Sequence, residues 1–113
     1  MMKEELERAG LVEREGLWCD QNDTIGAVVS PVGIFVGWVD VAWAGPAACE
    51  PRLRDVVHVP PANLDTDLGP VLARAEARFA AARRTCRLCG RSRPPGYMYS
   101  RDVCQACAPG IVY

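Results

Sequence analysis

A chain of 113 residues, half of them apolar, has the size of one compact domain, or of a small domain with an appended module. That apolar share excludes wholesale disorder, and the longest apolar stretch, "IGAVVSPVGIFVGWVDVAWAGPAA", is too broken by Ser30, Pro31, Asp40 and glycines to read as a membrane helix. The net charge of −1 conceals two unlike halves: residues 1–73 carry five Lys/Arg against twelve Asp/Glu (−7), and residues 74–113 carry eight Arg against Glu76 and Asp102 (+6).

In chain order, "MKEELERAG" predicts a short helix stopped at Gly10. Leu6 and Ala9 give it a thin apolar stripe, and at that length it must dock on something to persist. This polar, acidic start is unlike a signal peptide, so the cytoplasm is the expected compartment, where cysteine pairs serve as metal ligands or catalytic thiols in preference to disulfides. From Leu11 to about Val59 the texture is that of strands. "LVEREGLWC", "TIGAVVS", "GIFVGWVDVAW" and "DVVHV" are rich in Val, Ile and aromatics, and "DQND" and "SPVG" read as turns between them. In "GIFVGWVDVAW", Ile34, Val36, Trp38, Asp40 and Ala42 alternate with Phe35, Gly37, Val39, Val41 and Trp43. Neither face is clearly polar, which predicts a strand covered on both sides or one whose second face meets a partner. "AGPAACEPR" reads as a connector, followed by a last short strand stopped by Pro60 and Pro61.

"DLGPVLARAEARFAAARRTC" predicts a helix over about 67–84, capped by Asp65, Thr66 or Asp67, with Pro70 tolerated in its first turn. Leu68, Val71, Leu72, Ala75, Phe79 and Ala82 form its apolar stripe. Arg83 and Arg84 stand where cations meet the negative end of the helix. The elements describe an α+β protein. Residues 1–84 form a small antiparallel sheet with a packed helix, and that helix leads without a flexible linker into a cysteine module at 85–113, which is expected to be held rigidly on the domain.

Cys86, Cys89, Cys104 and Cys107 follow the pattern C-x-x-C, fourteen residues, C-x-x-C. A two-residue gap lets both sulfurs of a pair turn toward one ion, and the spacer returns the chain to supply the second pair. Gly90, directly after Cys89, provides the bare position that a tight metal knuckle needs. This pattern predicts one structural Zn2+ per chain; zinc is preferred to rubredoxin-type iron because nothing else in the chain points to electron transfer. The stretch "CRLCGRSRPPGYMYSRDVCQAC" resembles the four-cysteine zinc fingers of the treble-clef and zinc-ribbon types. In the treble-clef pattern Cys86, Cys89 and Gly90 would form the first knuckle and "PPGYMYSRD" the hairpin, while Cys104 and Cys107 would open a helix. Ala108 in place of a second glycine favours that helical start over a matched second knuckle, and Pro109-Gly110 would end the helix after about one turn. The resemblance covers 86–107 only, and residues 1–84 match no pattern of their own.

Chemistry at these cysteines is disfavoured. A four-thiolate zinc is coordinatively closed and leaves no position for an activated water. Metal-dependent nucleases on treble clefs require histidines, whereas this chain has one, His58. Zinc deaminases require a glutamate two residues after the first ligand and a proline before the second cysteine pair, and neither is present. Cys19 and Cys49 read as ordinary buried thiols, and their spacing to His58 matches no short metal motif. No catalytic residue is assigned.

Recognition would fall on Arg87, Arg91, Arg93, Tyr97, Tyr99 and Arg101, because arginines and tyrosines on a rigid hairpin can meet phosphates and stack on unpaired bases. The same charges also serve to counter a metal–thiolate centre or to pair with the acidic first half, within a monomer or across a symmetric dimer. The preferred reading is therefore a protein-interaction or assembly and regulatory module, with a homo-oligomer or a protein as partner and no membrane. The alternatives are a nucleic-acid-binding finger and an enzyme or accessory subunit whose site the sequence does not reveal.

Overall fold

A computed structural model describes residues 2–45, 48–98 and 100–107, with the backbone alone at 43–45, 48 and 49. Tyr99, Ala108, Pro109 and Gly110, and the side chains of Trp43 and Cys49, lie outside the described residues. The protein is α+β, with an antiparallel five-stranded sheet, one long helix and a C-terminal cysteine cluster. Among the described residues no helix is long and apolar enough to cross a membrane.

The first helix, α1 (Met2–Arg8), ends as its sequence predicts. The Leu11 amide donates to the Leu6 carbonyl and the Gly10 amide to the Glu7 carbonyl, the paired bonds of a Schellman closure, while Leu6 and Leu11 are both buried. The segment read as one strand, "LVEREGLWC", folds instead as a hairpin of β1 (Val12–Arg14) and β2 (Leu17–Cys19). Its two-residue turn, Glu15-Gly16, takes φ of 53° and 86°, the left-handed pair that matches the twist of antiparallel strands. Asp20 then organises the next turn, its carboxylate accepting the amides of Thr24 and Ile25 (2.6 and 3.0 Å). The strands β3 (Ile25–Ser30) and β4 (Gly33–Gly45) are joined through Pro31-Val32, with Ser30 opposite Gly33.

The fifth strand, β5 (Ala48–Val59), corrects the expected connector, because Cys49–Arg52 is strand. Pro51 is tolerated there because β5 is the edge of the order β1-β2-β3-β4-β5, where a missing amide need break no ladder. The second helix, α2 (Leu64–Ala82), starts after a 3-10 turn at Pro61–Asn63. Pro70 therefore falls inside the helix and not in its first turn, leaving the Thr66 carbonyl without the amide of residue 70. Asp65 and Asp67 occupy that first turn, where the helix dipole favours anions, and no side chain caps the preceding turn.

Two compact units emerge. The first contains the chain up to Val39 together with Leu53–Phe79. Its core joins Leu6 and Leu11 to Trp18, Ile25, Ala27, Ile34 and Val36 of the sheet and to Leu68 and Ala75 of α2. Trp38 is buried beside it and donates its indole N–H to Asp55 (2.7 Å), with the Phe79 ring edge-on at 6.2 Å. The second unit contains Asp40–Arg52 and the chain from Ala80 onward. Here a two-stranded ribbon, β6 (Arg84–Thr85) and β7 (Ser92–Arg93), flanks the first cysteine pair, and a 3-10 turn at Pro95–Tyr97 rests on β4.

That last contact leaves no room for a side chain. The Gly96 amide donates to the buried Asp40 carboxylate (2.7 Å), and a Cβ on Gly96 would collide with the Val41 carbonyl. Gly96→Ala is therefore expected to destabilise the folded protein by about 1–3 kcal/mol through overpacking, measured by chemical denaturation with metal present. Asp40→Ala is expected to cost a similar amount, about 1–3 kcal/mol, by removing the buried carboxylate that accepts the Gly96 amide.

Candidate metal centre

Thr85 leads β6 directly into Cys86, and the chain then turns back on itself to enter β7 at Ser92. Two bonds close this knuckle: the Gly90 amide donates to the Cys86 carbonyl, and the Cys86 amide donates to the Arg91 carbonyl (both 2.9 Å). Gly90 adopts φ of 75°, so the bare residue predicted after Cys89 stands at a left-handed position. The second pair returns through the Pro95–Tyr97 turn, with Met98 bridged to Cys104 and the Gln105 amide bonded to the Tyr97 carbonyl. The Cys107 amide donates to the Cys104 carbonyl, closing a tight turn around the second pair.

These turns bring all four Sγ atoms within 4.8 Å of one another. The Cys89 and Cys104 sulfurs are 3.9 Å apart. A tetrahedron of Zn–S bonds about 2.3 Å long has edges of about 3.8 Å, so the spacing fits a four-sulfur ion site. Among the described residues this is the one group of three or more His, Cys, Asp or Glu side chains placed to hold a metal. Cys86 and Cys104 are fully buried, Cys107 is half-buried and Cys89 is exposed.

The backbone is arranged for thiolates. The amides of Leu88 and Cys104 each donate to the Cys86 sulfur at 3.4 Å. The Cys104 amide is the largest influence holding the Cys86 thiol down to about 6, with the Cys89 amide next. At Cys104 burial pushes upward, but donation from Cys107 and Cys89 outweighs it and the net shift is downward. Cys107 is pushed up to about 12, first by Cys104 and then by burial. Without an ion the four sulfurs thus share protons unequally; a divalent ion would replace those protons and favour four thiolates.

The residues predicted to form a recognition surface have different surroundings. Arg87, Arg91 and Arg101 are exposed, while Arg93 and Tyr97 are half-buried. Arg87 is not free: its Nε lies 3.3 Å from the Asp102 carboxylate, and its amide donates to the Asp102 carbonyl. Sequence reasoning assigns Asp40 no role in this unit, although a lone carboxylate inside an apolar strand is a visible signal. Cys19 is buried, and burial followed by Asp23 and Asp20 raises its thiol. His58 is exposed, stacks on Phe35 and donates to the Val32 carbonyl (2.8 Å). Neither Cys19 nor His58 joins the sulfur cluster. The chain matches no family model, no curated protein and no solved structure.

The Cys86 shift sets a direction for the pH dependence. Its folded value lies below the ordinary 9.0, so the stabilisation from its thiolate is complete above that value and is lost as the pH falls to about 6. Acidification is also expected to lower metal retention and the unfolding midpoint together, because protons compete with the ion for the sulfurs, read by a chromogenic chelator and by thermal melts. Cys86→Ser and Cys104→Ser are expected to lower the unfolding midpoint of the metal-loaded protein, because each removes a buried sulfur from the cluster. A variant with unchanged unfolding would contradict a structural role for the site.

Proposed function

We propose that this is a structural-zinc protein in which a four-thiolate Zn2+ holds an arginine-bearing hairpin in shape for a protein partner, either a second copy or another acidic protein. The observation that carries the reading is the convergence of four sulfurs, with no histidine or carboxylate among them. Such a donor set fills the tetrahedron, so the ion neither activates water nor binds substrate. Function then rests with the surface that the ion supports. The exposed Arg84, Arg91 and Arg101 give that surface a positive character that acidic side chains would complement. The twelve carboxylates of residues 1–73 make another copy of this chain a candidate partner.

Nucleic-acid binding is the second reading. It is favoured by the same exposed arginines and opposed by the acidic first half of the chain. A low-salt titration with single-stranded and double-stranded oligonucleotides separates the two; no binding there removes this reading.

Protein purified without added metal is expected to contain about one equivalent of zinc per chain, as a four-thiolate site would hold. Light scattering of the same sample is expected to show association that weakens as salt is raised. A metal-free folded protein would overturn the structural-zinc reading. A salt-independent monomer that binds no acidic protein would overturn the interaction reading.

A further inference from the structure

Arg84 and Arg93 are direct partners across the β6–β7 ribbon, beside the pair Thr85 and Ser92. Residues so placed hold their Cβ atoms about 4.5–5.5 Å apart on one face, and like charges there destabilise the pairing. Among the described residues no carboxylate pairs with either guanidinium to relieve this repulsion: Asp102 is engaged by Arg87, Asp55 by Arg78, and Asp40 accepts from Gly96. Arg83 is differently employed, donating to the Ser92 carbonyl (2.7 Å) and so pinning β7.

The two guanidiniums also differ in solvation. Arg84 is exposed, whereas Arg93 is half-buried, with its Nε sealed from water and given no acceptor. A guanidinium stripped of water along one edge gains more than an exposed one from an anion at its outer edge. The ribbon therefore pairs one accessible cation with one under-solvated cation, and no described acid lies between them.

We infer that Arg84 and Arg93 clamp a phosphate-monoester dianion. Charge selects the class: two guanidiniums balance two negative charges, whereas a carboxylate or a phosphodiester supplies one. Geometry agrees, because a monoester offers three terminal oxygens to two donor forks, while the two oxygens of a carboxylate are satisfied by a single fork. The inference rests on the reading of this ribbon as a recognition surface and adds the chemistry of its ligand and the role of Arg84. Free inorganic phosphate and the phosphate of a small ester share this chemistry.

The test is a calorimetric titration of the zinc-loaded full chain with inorganic phosphate and, separately, with O-phosphoserine. Saturable binding of one anion per chain is expected, and the stronger probe identifies the source. Affinity should rise with pH through the second phosphate ionisation at about 6, while the arginines stay charged. Arg84→Gln is expected to weaken binding about tenfold, the equivalent of one charge-assisted contact. Arg74→Gln, which removes the same charge from an exposed position on α2, should change it less than about twofold. Arg93→Lys, which keeps the charge but loses the fork, should fall between Arg93→Gln and the unmodified chain.

Equal losses in Arg84→Gln and Arg74→Gln would overturn the clamp in favour of diffuse attraction. So would an absence of saturation, or an oligonucleotide with a 5′-hydroxyl binding as tightly as its 5′-phosphorylated form. Zinc content and unfolding midpoint are measured on each variant; should Arg93→Gln not fold, the exposed Arg84→Gln still decides. Full zinc content and salt-sensitive association without phosphate binding would sink the clamp alone. Phosphate binding by a protein that never associates would sink the protein-partner reading alone.

Discussion

Between residues 84 and 107 only three described side chains are buried, Cys86, Val103 and Cys104. Two of the three are cysteines of the sulfur cluster. One buried valine removes at most about 2–3 kcal/mol worth of apolar surface from water, far less than the conformational entropy of ordering such a segment. The segment consequently gains little of its shape from a core, the situation in which small modules rely on a metal or a disulfide, and the four clustered sulfurs stand where such a constraint could act. The Arg84–Arg93 pair stands on the ribbon that runs directly into that cluster.

Polar contacts do the positioning that packing cannot. Leu88 and Cys104 aim amides at the Cys86 sulfur, fixing both halves of the cluster relative to one atom. Further along, the buried Asp40 carboxylate takes the Gly96 amide and anchors the turn between the cysteine pairs on β4. The close approach of that turn to the Val41 carbonyl is available only to a residue without a Cβ. A spacer between two cysteine pairs that could be any polar loop is thereby given one conformation. The cost is a carboxylate placed inside an otherwise apolar strand.

Local signals in the sequence are legible, and long-range ones are not. The stop at Gly10, the stripe on α2 and the four-sulfur spacing each involve residues whose chemistry is decided within one turn or one knuckle. The hairpin at Glu15-Gly16 escapes a sequence reading because Glu is an unusual occupant of a left-handed position and the flanking strands have three residues each. The strand character of Cys49–Arg52 is hidden by Pro51, which argues against a central strand but not against the edge that β5 occupies. Pro70 pulls the expected start of α2 toward it, although tertiary packing of Leu68 carries the helix through. The partnership of Asp40 with Gly96 spans the chain and has no local signature at all.

The positive charge of the second half is likewise not a single patch. Arg78 is held at 3.7 Å from Asp55, Arg87 at 3.3 Å from Asp102, and Arg83 serves the backbone of β7. These three are engaged within the fold, and an exposed ion pair contributes little to binding or to stability. Arg91 and Arg101 are solvated on the surface, where water satisfies them without a ligand. Arg84 and Arg93 differ from both groups because the ladder forces them together and one of them is partly dry. A net charge read from composition weights all eight arginines equally. Register and burial separate them, and they locate the unbalanced charge on a two-stranded ribbon that runs directly into the sulfur cluster.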